Sequence, residues 1–143
     1  MPAGRSPSIA ALPIVARGIL EGTRRAVLTT VTRDYRPHAV PVCFALRASG
    51  EIVTPIDDKP KRGDKLQRVI NLENNPNAMV LFDHWDEDWE RLGWVQVRGK
   101  ARFDPAGSAD EELAERYEQY AERAPSGDII VIVPEVISWW TYS

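Results

Sequence analysis

The sequence predicts a mainly β, antiparallel fold with flanking helices. Seven short segments are rich in β-branched or aromatic residues, or alternate between apolar and polar residues, as strands do. Most neighbouring segments are separated by short turn signals, such as Arg-Asp-Tyr-Arg-Pro at 33–37, which favours antiparallel pairing. One helical segment precedes the strands and two interrupt them, and strands this short and numerous favour closure into a barrel.

The predicted elements alternate along the chain. Residues 1–7 are expected to form a loose leader, and residues 8–21 a first helix in which Pro13 fits only the first turn. Strands are predicted at 26–32, 38–46, 51–54, 77–83, 92–103, 129–133 and 136–142. A second helix is predicted over 64–74, and a third begins at Ser108 with a capping box completed by Glu111.

Length and composition restrict the class of protein. The 143 residues correspond to one domain, and Cys43 is the only cysteine, which excludes an internal disulfide and a cysteine-based metal cage. The net charge of −3 argues against nucleic-acid binding. No run of about 18 apolar residues is present to span a membrane. Because the N-terminus lacks the layout of a secretory signal, a cytoplasmic location is expected.

Positive charge is concentrated in residues 59–68. This segment holds five cations and one anion, a local charge of +4 in a mildly acidic chain. Charge-assisted hydrogen bonds to phosphate oxygens are about twice as strong as neutral ones, so the segment predicts an anion site. The start of the second helix would add free N–H groups, although Asp64 as a cap would occupy one of them. The alternative is a solvated turn.

Negative charge is concentrated in residues 83–90, which hold five acids and neither lysine nor arginine. His84, Asp86 and Asp88 alternate in the sequence as the oxygen and nitrogen ligands of a metal do, but the glycine and terminal glutamate of a calcium loop are missing. The favoured interpretation is an acidic loop that shapes a groove or a dimer contact, with Trp85 and Trp89 packed beneath it.

Motifs for covalent or nucleotide chemistry are missing from the sequence. His38 and His84, the only histidines, lie next to no Ser or Cys nucleophile in a recognisable pattern, so triad chemistry is not expected. Neither a Walker motif nor G-x-G-x-x-G occurs, which disfavours P-loop and Rossmann folds. No catalytic residue and no metal ligand is assigned, and Cys43 is interpreted as an inert core thiol.

An ordered set of segments resembles the pyridoxamine 5'-phosphate oxidase-like split β-barrel superfamily, an FMN-binding-like fold. These segments are residues 27–42, 59–62, 71–81, 83–89 and 94–101, together with the tryptophan-rich C-terminus. They are most similar to the actinobacterial branch of deazaflavin (coenzyme F-420)-dependent enzymes. The resemblance covers roughly residues 22–142.

This resemblance implies a homodimer whose cofactor lies in a groove between the two barrels. It places first-strand residues near the ring, second-strand residues beside them, and the cations of the following segment at the phosphate. The residues carried over are Thr29, Thr30, Val31, Pro41, Val42, Thr54, Lys59, Lys61, Arg62 and Lys65. On the last strand Trp139 and Trp140 face opposite sides, so one can join the core while the other, assigned as Trp140, covers the cofactor or the partner subunit.

The function implied is an oxidoreductase that transfers hydride between coenzyme F-420 and a small organic substrate. The cofactor carries the difficult chemistry in such enzymes, which agrees with the lack of a catalytic motif. The alternatives are an FMN-bound oxidase or flavin reductase of the same fold, and a non-catalytic protein that binds the cofactor or a haem-like molecule. Pyridoxamine-phosphate oxidase activity is disfavoured, because the ending Trp-Trp-Thr-Tyr-Ser lacks an Arg-x-His pattern.

Overall fold

The structure is a computed structural model that describes residues 2–56 and 65–142. Its strands are β1 Ala3–Ser6, β2 Ala26–Val31, β3 Pro37–Val42, β4 Ala45–Leu46, β5 Ile52–Pro55, β6 Asn77–His84, β7 Gly93–Asp104 and β8 Ile129–Thr141. Its helices are α1 Ile14–Gly22, α2 Gln67–Asn74, α3 Asp110–Arg116 and α4 Glu118–Glu122, with a short 3-10 helix at Trp89–Arg91. None of these helices is long and apolar enough to cross a lipid bilayer.

All eight strands belong to one antiparallel sheet. Its order is β3-β2-β6-β7-β8-β5-β4, and β1 pairs with β8 outside this path. The first part of β8 pairs with β5 and its last part pairs with β1. Strand β7 pairs with β8 along the whole length of β7. The sheet therefore curls into a half-barrel, as the sequence predicted for a split β-barrel.

The hydrophobic core lies inside this curl. Leu28, Val95 and Ile130 come from distant strands and are fully buried there. Phe44 and Phe82 meet edge to face with ring centroids 4.8 Å apart, a favoured aromatic geometry. Helix α1 packs Leu20 into the same cluster. The core thus joins both ends of the chain to the central strands.

Two predictions about the strands are wrong. Residues 3–6 are not a loose leader, because their backbone pairs with β8 in the register Ala3↔Trp140 to Ser6↔Ile137. The strands predicted at 129–133 and 136–142 are one strand, in which Pro134 lies opposite Gly99 at a register shift of the β7–β8 pair. A bulge tolerates the missing N–H of proline, and a Cβ at Gly99 would overlap the Val133 carbonyl oxygen.

The other differences are at element ends. The strand predicted at 38–46 is divided into β3 and β4, and the third helix is divided into α3 and α4 at Tyr117. The predicted capping box is also wrong, because α3 starts at Asp110 with Ala109 as its N-cap and no side-chain cap bond. Helix α1 starts after Pro13 rather than at residue 8, since proline at this position lacks an N–H and suits a helix start.

A charge cluster ties the β4–β5 turn to the end of β7. Arg47 contacts Glu51 at 3.2 Å and Asp104 at 3.0 Å, and Arg102 contacts Glu51 at 2.7 Å. Hydrogen bonds from Arg102 lower the pKa of Glu51 and of Asp104, and bonds from Arg47 add to the effect, although partial burial opposes it. Both carboxylates are therefore charged more readily in the folded state.

We predict that this cluster makes the protein sensitive to acid. Groups whose folded pKa lies below the unfolded value stabilise the fold above the unfolded pKa and lose that effect as pH falls through the folded pKa. The free energy of unfolding should therefore fall as pH drops below about 4.5, and Arg102→Gln should flatten this fall. Urea titrations across the acidic range measure the slope. Arg17→Gln, which breaks an exposed pair with Glu21, is the control and should keep the wild-type slope.

Candidate functional site

A cleft of about 230 Å³ lies where β3 and β5 end and where α2 and α4 approach them. We call it the cationic cleft. Its lining residues are Arg25, Pro41, Val42, Cys43, Thr54, Pro55, Arg68 and Tyr120. They come from segments far apart in the chain, so the cleft exists only in the folded protein.

The cationic cleft offers hydrogen-bond donors without internal partners. Within residues 2–56 and 65–142, neither Arg25 nor Arg68 forms an ion pair with a carboxylate, and Arg68 Nε is buried without a partner. The Thr54 side chain is only 2% exposed, yet its Oγ1 has no partner among these residues. Buried polar groups are almost always satisfied, so an unsatisfied hydroxyl beside two guanidinium groups points to an anionic ligand.

A second cleft of about 340 Å³ lies on the outer face of the sheet, and we call it the outer cleft. It is mostly apolar and spans β2, β6, β7 and the bulge region of β8. Its lining residues are Thr29, Val31, Asn77, Ala78, Met79, Arg98, Gly99 and Glu135. Its size is in the range of small-molecule pockets.

The outward side of the β2–β3 hairpin connects the two clefts. Burial alternates along β2, so the outward residues are Val27, Thr29 and Val31, and the β3 residues opposite them are Pro41, Ala39 and Pro37. We call these six residues the hairpin face. By the same alternation Arg25, directly before β2, points to this side. Four residues of strand separate Arg25 from Thr29, about 13 Å at roughly 3.3 Å per residue. One elongated ligand can therefore reach both clefts.

The structure distributes the predicted site residues unevenly. Thr29 and Val31 line the outer cleft, whereas Pro41, Val42 and Thr54 line the cationic cleft. The residue between the first two, Thr30, points inward instead. It is fully buried, and its Oγ1 accepts a hydrogen bond of 2.9 Å from Asn71 Nδ2. Its side chain therefore anchors α2 to β2 rather than facing a ligand.

The other predicted residues lie outside the two clefts or cannot be placed. Lys65 is exposed and its Nζ is 3.0 Å from a Glu73 carboxylate oxygen, so its charge is already paired. Trp140 is half-buried on the outward side of β8, directly opposite Trp94 of β7. Lys59, Lys61 and Arg62 lie outside the residues that the structure describes.

Sequence reasoning missed several residues that the fold brings to these clefts. Arg25 precedes the first predicted strand, and its position next to Arg24 was the only available signal. Arg68 belongs to the predicted basic segment but was not selected. Tyr120 of the cationic cleft and Arg98 of the outer cleft carried no signal of a binding role in the sequence. All four residues are positioned by packing between distant segments of the chain, which the periodicity of the sequence does not predict.

The acidic loop after β6 differs from its prediction. Trp85 and Trp89 are not packed beneath it, because they are 62% and 60% exposed and contact each other edge to face at 6.4 Å. Arg91 lies 3.8 Å from both Asp86 and Asp88, which partly neutralises the loop. In the part of the chain that the structure describes, no three His, Cys, Asp or Glu side chains are grouped as metal ligands are.

A protein-family model described as pyridoxamine 5'-phosphate oxidase matches residues 12–141, nearly the whole chain. The chain belongs to the pyridoxamine 5'-phosphate oxidase family. The match extends from just before α1 to the last residue of β8, so it includes every strand of the half-barrel except β1. Among curated proteins, none matches the sequence.

Solved structures share the fold of this family member. Protein Rv2991 of Mycobacterium tuberculosis is 20% identical with a TM-score of 0.70, over 87% of this chain and 81% of that chain. A heme binding protein of Mycobacterium smegmatis is 22% identical with a TM-score of 0.70, over 94% of this chain and 55% of the other. The FAD binding protein of the same organism is 23% identical with a TM-score of 0.60, over 90% and 94%. At these identities the similarity concerns the fold alone.

The bond between Asn71 and Thr30 should contribute to stability, because it is buried and ties α2 to the sheet. We expect Asn71→Ala to lower the free energy of unfolding by about 1–3 kcal/mol, the cost of leaving a buried polar group unsatisfied. Urea denaturation measures the loss. Asn74→Ala, at an exposed position of the same helix, is the matched control and should cost clearly less; equal losses would contradict the assigned role.

Proposed function

We propose that this chain is an oxidoreductase that binds the deazaflavin coenzyme F-420 and transfers hydride to or from a small organic substrate. The observation that carries the proposal is the cationic cleft, where two guanidinium groups that pair with no carboxylate of residues 2–56 and 65–142 lie with a buried hydroxyl that lacks a partner there. Family membership supports it, because the split-barrel fold is shared with a protein that binds FAD.

The cationic cleft fits the phosphate end of such a cofactor. Arg68 lies in the first turn of α2, which has neither a side-chain cap nor an acidic residue there. The positive end of the helix dipole and the guanidinium therefore act on the same anion. Arg25 and the Thr54 hydroxyl supply further donors from the sheet. The residues present thus match the charge and hydrogen-bonding needs of a phosphate group.

The hairpin face fits a planar ring. Its side chains are small or apolar, as at Thr29, Ala39 and Pro41, so a flat group can lie close to the backbone. A bound deazaflavin supplies the carbon that carries the hydride, and the protein supplies orientation and exclusion of water. No protein nucleophile is required for this task.

Coenzyme F-420 is favoured over FMN by the number of cations. A single phosphate needs about two such partners, and Arg25 and Arg68 already provide them. The sequence adds Lys59, Lys61 and Arg62 in the segment between β5 and α2. A polyanionic tail would use this excess, whereas FMN would not.

Two alternatives have specific support. A flavin enzyme of the same fold is supported by the FAD binding relative, and a non-catalytic carrier by the heme binding relative. Both kinds of protein would have the same fold but would bind a ligand that lacks the tail of F-420. Mixing the protein with reduced F-420 and a panel of enones, quinones and nitro compounds separates the proposed F-420 enzyme from a carrier: consumption of the reduced cofactor supports the enzyme, and binding without consumption supports the carrier.

We predict that Arg68→Gln weakens cofactor binding about 10- to 150-fold, because a hydrogen bond to a charged group contributes about 1.5–3 kcal/mol. Fluorescence polarisation with oxidised F-420 and, separately, with FMN measures the affinity. Arg17→Gln is the control, since Arg17 lies on α1 and its partner is Glu21. Unchanged affinity in Arg68→Gln would remove the cationic cleft from the proposal, and tighter binding of FMN than F-420 would favour the flavin alternative.

We further propose that a second copy of the chain covers the outward side of β6, β7 and β8. Leu81, Trp94 and Trp140 present an apolar surface there, next to the hairpin face. Trp94 is 36% exposed and lies directly opposite Trp140 on the same side of the sheet, so the two side chains extend one contiguous apolar patch. A dimer would bury this surface beside the ring site.

This arrangement predicts a mass of twice 16.1 kDa in solution. Trp94→Glu should shift the protein to the monomer, because a carboxylate would be buried without a partner at the interface. Light scattering after size exclusion measures the mass. Trp85→Glu, an exposed tryptophan outside the surface, should leave it unchanged, and a wild-type monomer at high concentration would overturn the proposal.

A further inference from the structure

Cys43 occupies an unexpected position for a core thiol. It directly follows β3, it is half-buried, and it lines the cationic cleft together with Thr54 and Arg68. It is also the only cysteine in the chain. Any chemistry of a thiol in this protein therefore takes place at the wall of the proposed phosphate site.

The surroundings of Cys43 favour anionic reagents. Arg25 and Arg68 line the same cleft and, within the described residues, are paired with no carboxylate. A cleft lined by one sign of charge raises the local concentration of ions of opposite sign. The buried Thr54 Oγ1 lacks a partner among these residues and offers such an ion a hydrogen bond. The guanidinium groups and the unpartnered hydroxyl are therefore two independent features that favour an anion next to the thiol.

We propose that Cys43 is a thiol-modification site for anionic low-molecular-weight disulfides, and that its modification closes the cationic cleft to phosphate-bearing ligands. The inference rests on the proposed function for the identity of the ligand that is displaced. A group attached to Cys43 would occupy part of the same cleft of about 230 Å³ in which the phosphate group is proposed to bind, so the two would compete for space.

The reaction is an exchange that needs no further oxidant. The Cys43 thiol loses its proton to solvent, and the sulfur attacks one sulfur of the disulfide. The disulfide S–S bond breaks, a mixed disulfide forms at Cys43, and the other half leaves as a thiolate. Cys43 is oxidised, the departing half is reduced, and an excess of free thiol reverses the exchange.

Binding and modification should oppose each other reciprocally. A ligand that shields the thiol must bind more weakly once the thiol carries a group, because both effects measure one coupling free energy. Inorganic pyrophosphate is a suitable probe, since it carries the charge of the cofactor's anionic end without its ring.

The test compares an anionic with a neutral aromatic disulfide on the full chain. The anionic reagent is 5,5'-dithiobis(2-nitrobenzoate), and 2,2'-dithiodipyridine is the neutral control; both release a coloured thiol. We expect one equivalent of release per chain, slowed by pyrophosphate at least fivefold. We also expect Arg68→Gln to slow the anionic reagent several-fold more than the neutral one.

Ligand affinity provides the second measurement. The modified protein should bind pyrophosphate and F-420 at least tenfold more weakly by calorimetry, and dithiothreitol should restore both affinities. Cys43→Ser should release no colour, and the treatment should not change the affinity that this variant has before it. The inference would be overturned if the modified protein bound pyrophosphate as tightly as the unmodified protein. It would also be overturned if Cys43 reacted only after denaturation.

The two proposals fail in different ways. If neither F-420 nor FMN binds while pyrophosphate still protects Cys43, the modification site stands and the proposed cofactor does not. If F-420 binds tightly and leaves the rate at Cys43 unchanged, the proposed function stands and the modification site is wrong.

Discussion

The pairing of β7 with β8 runs from Gly93↔Thr141 to Asp104↔Ile129 and holds the two sides of the half-barrel together. Because β8 is the longest strand, its two ends pair with different strands besides β7, with β5 at one end and β1 at the other. The bulge at Gly99 and Pro134 lets this long ladder bend. Without that bend the sheet would be flatter, and β5 would not approach β3.

The cationic cleft depends on this closure. Thr54 is positioned by its pairing with Ile130 of β8, whereas Arg68 is positioned by the buried bond between Asn71 and Thr30. Tyr117 fixes the remaining wall, since its hydroxyl accepts from the Phe44 N–H and donates to the Arg24 carbonyl oxygen. Tyr120 packs edge to face against Tyr117 at 5.7 Å and so reaches the cleft. Three separate tertiary contacts therefore converge on one small volume.

Charge is used differently in two parts of the molecule. Around Arg47 and Arg102, guanidinium groups meet carboxylates and lower their pKa, which serves stability. In the cationic cleft the guanidinium groups meet no carboxylate of the described residues, which leaves them available to an external anion. Lys65 belongs to the first kind, because Glu73 pairs with it. Pairing thus distinguishes the cations that stabilise the fold from those left available to a ligand. Counting positive charges alone does not make this distinction.

The sequence by itself determined the features that arise from local periodicity. The segment rich in β-branched residues at 26–32 predicted β2, and the helix predicted over 64–74 contains α2, which carries Arg68. It also predicted an anion site in the basic segment 59–68, to which Arg68 belongs. Only the tertiary structure decided that residues 3–6 pair with β8, that Thr30 points inward to Asn71, and that Arg25 and Tyr120 share a cleft with Cys43. These outcomes depend on contacts between residues tens of positions apart, and a local pattern of side chains contains no signal for the segment that will pack against it.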